Sequence, residues 1–245
     1  MKKVRNYTSR EKYNKSYHKA QDQMSLLPNY YRWIYSLVRD GVRGTVVELG
    51  AGAGHMIRFY LREVNHVIAV DYNAKLLHSL RSKYPSDRVK PVSVDLKEDW
   101  TNLKNVCCDT VVALDVLEHF DEDKEFLLKV KRILKPGGQV IIKVPAQSAL
   151  FSNVDIASGH FRRYDMNELR NLLEELGFCV VKQQYMNSLG VFIYRFKKGK
   201  KNNFSRTFSP WILKVANVLM PVVALLDKLT PLKGLSIIGI YKLQK

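Results

Sequence analysis

Residues Val46 to Gly54 read Val-Val-Glu-Leu-Gly-Ala-Gly-Ala-Gly, and Val67-Ile-Ala-Val-Asp71 follows. An apolar run of this kind is a buried parallel strand. The glycines let the chain turn tightly into a helix whose N-terminal amides face a ligand. An acid at the tip of the next strand, about twenty positions on, is placed to accept hydrogen bonds from a ribose. A dinucleotide site would prefer G-x-G-x-x-G, but His55 follows Gly54 and the third glycine comes one position early. Glu48 stands just before the first glycine. There it would repel a pyrophosphate and attract a cation.

The rest of the chain alternates in the way such a unit requires. Strands are predicted over Thr45–Glu48, His66–Val70, Val89–Val94, Thr110–Leu114, Gln139–Val144, Phe178–Gln184 and Ser236–Tyr241. Helices fall between them over His55–Glu63, Ala74–Lys83, Asp123–Leu134 and Glu168–Leu176, the last stopped by Gly177. Lys135-Pro-Gly-Gly138 reads as a turn, and Pro28–Arg39 as an amphipathic helix that packs on the sheet. The alternation predicts an α/β, doubly wound, mostly parallel seven-stranded Rossmann-like sheet with helices on both faces.

Charge divides the chain differently. The net charge is +17, yet residues 40–194 hold 20 basic and 20 acidic side chains. Residues 1–39 hold nine basic against two acidic, and residues 195–245 eleven against one. The expected organisation is a basic helical segment over 1–40, a core over 41–194, a basic and apolar helical insertion over 195–234, and a final core strand over 235–245. Three cysteines give neither a disulfide framework nor metal spacing, and no apolar leader opens the sequence, so a cytoplasmic location is expected.

The spacing E-x-G-x-G-x-G resembles motif I of the class I S-adenosylmethionine (SAM) methyltransferases, whose cofactor carries a sulfonium and an ammonium. The resemblance covers about residues 45–185 and continues through the final strand. It implies SAM as cofactor, with Glu48, Gly50, Gly52 and Gly54 at its methionine end and Asp71 on the ribose hydroxyls. It also implies Asp95 and Leu96 at the adenine, and Leu114 beside the methionine moiety. The Asn-Pro-Pro-Tyr of base-methylating enzymes is absent, and Ala113–Phe120 stands in its place. That segment is similar to the small-molecule branch (methyltransferase types 11 and 12), which includes quinone O-methyltransferases and sugar-modifying enzymes.

Ser158-Gly-His-Phe-Arg-Arg-Tyr164 is similar to an element of bacterial methyltransferases linked to saccharide and envelope pathways. Arg162, Arg163 and Tyr164 are accordingly expected at the acceptor, since Arg suits carboxylate or phosphate. A second reading has Arg162 and Arg163 pair with Asp155 and Asp165 to brace the loop. His160 and His119 are the expected general bases, because an imidazole titrates near neutrality. Asp115-x-x-Glu118-His119 also resembles a Glu-x-x-Glu-His cation cluster of some O-methyltransferases. The same spacing occurs in metal-free members, and no metal is expected.

Between the sixth and last strands, Arg195-Phe-Lys-Lys-Gly-Lys-Lys201 precedes the apolar segment Trp211–Leu226. Lys214, Asn217, Pro221 and Lys228 recur at steps that place them on one narrow side of a helix. Such a segment is too short to span a bilayer and instead suits peripheral contact with the inner face of the membrane. A lid or a dimer surface would bury the same apolar face. The functional expectation is methyl transfer to a small or lipid-linked acceptor, as O-methylation of a saccharide or envelope precursor. An RNA methyltransferase and a catalytically silent binding scaffold are the alternatives. Nucleic acid is not expected, because the basic ends lack a recognisable RNA module.

Overall fold

The computed structural model describes residues 20–98, 100–191, 194, 209–229 and 232–244. Its sheet has seven strands in the order β3-β2-β1-β4-β5-β7-β6. These are β1 (Thr45–Leu49), β2 (His66–Asp71), β3 (Val89–Ser93), β4 (Cys108–Leu114), β5 (Leu134–Pro145), β6 (Phe178–Met186) and β7 (Ser236–Leu243). Strands β1 to β5 pair in parallel, and β7 inserts antiparallel between β5 and β6. Strand order reverses between β1 and β4, which opens a crevice at their carboxyl ends. The crevice is where Gly50, Asp71 and Asp115 come together.

Alternation along the strands builds a core on each face. Val111 and Ala113 point to one side, where Phe126, Leu127 and Val130 of α4 (Asp123–Ile133) and Leu169 and Leu173 of α6 (Met166–Glu175) cover them. Val112 and Val46 point to the other side. There they meet Ile34 of α1 (Pro28–Val38), Ile57 and Tyr60 of α2 (Ile57–Tyr60), and Leu77 and Leu80 of α3 (Ala74–Lys83). Helix α5 (Asn153–Ser158) lies in the crossover from β5 to α6, and α7 (Pro210–Leu229) lies before β7.

Two elements depart from expectation. The helix after β1 is one turn rather than His55–Glu63, because Arg88 claims the carbonyls that would continue it. Its Nη2 donates to Leu61 O at 2.6 Å and Val64 O at 2.8 Å, and its Nε to Asn65 O at 3.0 Å. The Lys135–Gly138 turn belongs instead to a bulged start of β5: Leu134 pairs with Cys108, and pairing resumes at Gln139 with Thr110.

Helix α7 is also turned differently. Asn217, read as part of a polar stripe, faces inward: its Oδ1 accepts from Asn29 N at 2.7 Å, and its carbonyl from Asn29 Nδ2 at 2.9 Å. Among the residues of α7 only Leu213 is fully buried. Met220, Val223 and Ala224 pack against the core, and the rest of the apolar side, including Trp211, Val218, Leu225 and Leu229, is exposed. No helix among the described residues is long and apolar enough to cross a membrane. The basic run Arg195–Lys201 lies outside the described residues.

Candidate active site

Two cavities meet at the carboxyl end of β1. One, of about 240 Å³, is lined by Gly50, Asp71, Asp95, Leu96 and Phe120 among others. The other, of about 260 Å³, is lined by Tyr30, Tyr31, Glu48, Leu114 and His160 among others. Gly50, Asp115 and His119 belong to both. The expected cofactor residues thus separate into an Asp71/Asp95/Leu96 end and a Glu48/Leu114 end, joined at Gly50.

Gly52 and Gly54 shape this floor rather than line it. Each has positive φ, 53° and 67°, and a Cβ on Gly54 would come within 2.5 Å of Leu80. The Gly52 amide donates to Asp71 Oδ2 at 2.8 Å, and the Asn73 amide to Oδ1 at 2.8 Å. Both ties hold the buried Asp71 carboxylate at the strand tip. Asp95 accepts from the Lys97 amide at 3.1 Å, which fixes the next loop.

Glu48 is buried and accepts from the Tyr60 hydroxyl. Burial pushes its carboxyl up to about 7 against that hydrogen bond. Asp115 holds a positive φ of 54° and receives Lys143 Nζ at 2.5 and 2.6 Å. Burial opposes the Lys143 ammonium, but Asp115 outweighs it and the pKa is raised. This pair of a buried ammonium and a half-exposed carboxylate was missed in the sequence, as were Tyr30 and Tyr31, which carry α1 over the second cavity. Gln21 was missed too: its Oε1 accepts from the Ala53 amide at 3.1 Å and its carbonyl meets His55 Nε2 at 2.9 Å.

His119 and His160 lie ring edge to ring face, with centroids 4.9 Å apart at 80°. His119 Nδ1 meets the Gly159 carbonyl at 3.0 Å, and His160 Nδ1 meets Asp155 Oδ1 at 3.2 Å. Those acceptors call for a proton on each Nδ1, which leaves a lone pair on each Nε2. Burial, helped by the neighbouring His160, pushes His119 down to about 4, so this ring is neutral near pH 7. Below them Glu118 is fully buried, and neither carboxylate oxygen has a hydrogen-bond partner among the described residues. Burial, then the Asp115 charge, raises its pKa well above the carboxylate range.

The three residues expected at the acceptor lie elsewhere. Arg163 is buried, with Nε on Asp155 Oδ1 at 2.9 Å and Nη1 on Ala146 O at 3.1 Å. Tyr164 is fully buried, and its hydroxyl donates to Asp123 Oδ2 at 3.1 Å. Arg162 reaches Asp123 Oδ2 at 3.0 Å and Asp121 O at 2.6 Å. None of the three lines either cavity. Their polar atoms bind carboxylates and carbonyls of the protein, as the bracing reading has it. The bracing pairs include the expected Asp155, but Asp121 and Asp123 replace Asp165.

A family profile described as a methyltransferase domain matches residues 47–142. A probable S-adenosylmethionine-dependent methyltransferase of Mycolicibacterium smegmatis is 30% identical over 149 residues, 60% of this chain and 54% of the relative. The chain thus spans about half the length of the curated relatives it matches. Among solved structures, a SAM-dependent methyltransferase from Mesorhizobium loti superposes with a TM-score of 0.60 at 14% identity, covering 86% of this chain and 97% of that one. The N-methyltransferase NodS of Bradyrhizobium japonicum, in complex with S-adenosyl-L-homocysteine, gives 0.55 at 11% identity, covering 87% and 85%. At those identities the structures establish the fold.

Residues 47–142 are similar to a methyltransferase domain, on the fold shared by SAM-dependent methyltransferases. The cofactor is SAM, and the two joined cavities match the cofactor's two ends in character. Asp71 and Asp95 line one cavity, and Glu48 lines the other. The free protein keeps a proton on Glu48 below about pH 7. A bound ammonium and sulfonium favour the carboxylate, so binding expels that proton. SAM affinity is therefore expected to climb from about pH 5 to about pH 7, by up to roughly tenfold per unit, and to level off above. Calorimetry in buffers of different ionisation enthalpy counts the proton released. A flat affinity with no release would place Glu48 outside the cofactor's reach, whereas Glu48→Gln is expected to flatten the slope of the parent.

Proposed function

We propose that this chain transfers the SAM methyl group to an oxygen of a small or lipid-linked acceptor, of the saccharide or envelope-precursor class. The observation that carries the reading is the His119–His160 ring pair, with His119 lining both cavities and His160 the one that holds Glu48 and Leu114. In the displacement the sulfur–carbon bond breaks, an oxygen–carbon bond forms, and the cofactor leaves as a neutral thioether. The acceptor hydroxyl must lose its proton, and an imidazole lone pair near the reacting oxygen supplies that service. His160 and His119 are the catalytic residues of this proposal. Arg162, Arg163 and Tyr164 act through them as positioning residues of the Ser158–Tyr164 loop.

The saccharide and envelope assignment is supported by the resemblance of that loop. The exposed apolar side of α7 supports a lipid-linked acceptor and peripheral placement at the inner membrane face. The test is incubation of the protein with SAM bearing an isotope-labelled methyl and, separately, lipid-linked saccharide, soluble saccharide and RNA fractions. Mass spectrometry is expected to find a gain of one labelled methyl in a saccharide fraction. Label confined to RNA would replace the proposal with an RNA methyltransferase. SAM binding without transfer to any fraction would leave a binding scaffold.

A further inference from the structure

Glu118, His119 and His160 pose a problem that methyl transfer alone does not resolve. Glu118 is fully buried with both carboxylate oxygens lacking hydrogen-bond partners among the described residues. A buried polar group left unsatisfied costs free energy, and a buried charge far more. Yet the carboxylate does not sit in an apolar pocket. His160 Nε2 lies 4.0 Å from Glu118 Oε1, and one ligand-capable atom from each of Glu118, His119 and His160 lies within 4.8 Å of the others.

The outer contacts are arranged to match. Imidazoles that bind a metal through one nitrogen give the other N–H to a carboxylate or a backbone carbonyl, which fixes tautomer and ring orientation. Here His160 Nδ1 is on Asp155 and His119 Nδ1 on the Gly159 carbonyl. Asp155 is itself fixed by Arg163 Nε at 2.9 Å, the Tyr194 hydroxyl at 2.9 Å and the Ser152 amide at 2.9 Å. A positioned outer layer stands behind both rings.

We propose that Glu118, His119 and His160 form a site for one divalent cation of the imidazole-binding kind, zinc or manganese, on the acceptor side of the cofactor cleft. Two imidazoles and one carboxylate suit such ions and leave coordination positions open. Magnesium, which takes oxygen ligands and keeps its waters, suits the set poorly. Bonds of roughly 2.0–2.2 Å require the three ligand atoms to draw together, within reach of small side-chain rotations of His160 and Glu118. A dication would give both Glu118 oxygens the partner they lack among the described residues.

The catalytic consequence rests on the proposed function, but the binding itself does not. With the cation in place both Nε2 lone pairs are used as ligands. The acceptor hydroxyl then binds an open position, loses its proton to solvent more readily as a cation-bound oxygen, and attacks the methyl carbon. No oxidation state changes.

The experiment is titration of chelator-stripped protein with Zn²⁺ by calorimetry, with bound metal counted by elemental analysis. One ion per chain is expected, with a rise in thermal unfolding midpoint. Glu118→Gln, which keeps the shape and is easier to bury, and His160→Ala are each expected to weaken binding by roughly a hundredfold or more. Asp155→Asn is expected to cost about 10–100-fold, as for an outer partner. Retained SAM binding certifies that each variant is folded. No saturable binding, or equal affinity in parent and Glu118→Gln, would overturn the site and mark any zinc taken up as bound elsewhere, for instance at the exposed Cys107. Because no acceptor is present, zinc binding without methyl transfer to any fraction would sink the proposed function alone. Transfer that survives chelation would sink the cation site alone.

Discussion

His160→Ala is expected to lower methyl-transfer turnover by roughly 10²–10⁴-fold while SAM binds with parental affinity. The split follows from where the ring sits. His160 lines the cavity that holds Glu48 and Leu114 but not the one that holds Asp71 and Asp95. Its Nδ1 is engaged by Asp155, which leaves Nε2, 4.0 Å from Glu118 Oε1, as the nitrogen that can take a proton. Removing it takes away the group that would take the hydroxyl proton, or a ligand of the cation that would acidify it, and leaves the cavity of Asp71 and Asp95 in place. The measurement is single-turnover transfer from labelled SAM beside a calorimetric SAM titration. A rate within a few-fold of the parent would make His160 a brace of the Ser158–Tyr164 loop, tied to Asp155 like Arg163. His119→Ala is expected to lose SAM affinity as well, because His119 belongs to both cavities.

The parts of this site that the sequence revealed are those whose geometry is local. Gly50, Gly52 and Gly54 each occupy positive φ, a demand written at single positions. Asp71 ends a strand whose period is visible residue by residue, and its Gly52 contact spans only nineteen positions. What the sequence hid depends on chain brought from far away. Lys143 meets Asp115 across 28 positions, and Arg162 meets Asp123 across 39. Nothing local told Arg162 which of the nearby carboxylates would be its partner, so a solvent-facing acceptor site and an internal brace read alike. The direction of β7 was hidden for a similar reason: an apolar strand carries the same alternation whether it runs parallel or antiparallel. In α7 the polar stripe was correctly periodic, yet Asn217 turned inward because Asn29 offers both a donor pair and a place to dock. Leu213, Met220, Val223 and Ala224 go inward with it, and the rest of the apolar side is left outward.

Exchange of Trp211 and Leu225 for serine is the test of that outward face, and the expected loss is large. Trp211 and Leu225 are 71% and 57% exposed, and Ile212, Val218, Leu219, Val222 and Leu229 extend the surface around them. An apolar surface this continuous marks an interaction site. On the proposed reading its occupant is a membrane, in keeping with the basic sequence of this part of the chain. Residues 195–245 carry eleven basic side chains and the single acid Asp227. Asp227 is turned inward, accepting from the Asn187 and Ser188 amides at 2.6 and 2.7 Å, while Lys214, Lys228 and Lys233 stay exposed. Each large side chain fully buried at an interface contributes roughly 1.5–3 kcal/mol, so the double exchange is expected to weaken vesicle binding by about two to four orders of magnitude. Each basic residue near the surface adds about 1 kcal/mol on anionic lipid, so binding is expected to exceed that to neutral vesicles and to fall with salt. Sedimentation with vesicles of both compositions reads these effects. The Asn217–Asn29 contacts tie α7 to α1, whose Tyr30 and Tyr31 wall the second cavity, so a seated α7 would present that cavity to a lipid-linked acceptor. If the protein ignores both vesicle types while the double exchange still abolishes transfer, α7 is a lid. If the exchange instead halves the mass in solution, the face joins two copies of the chain.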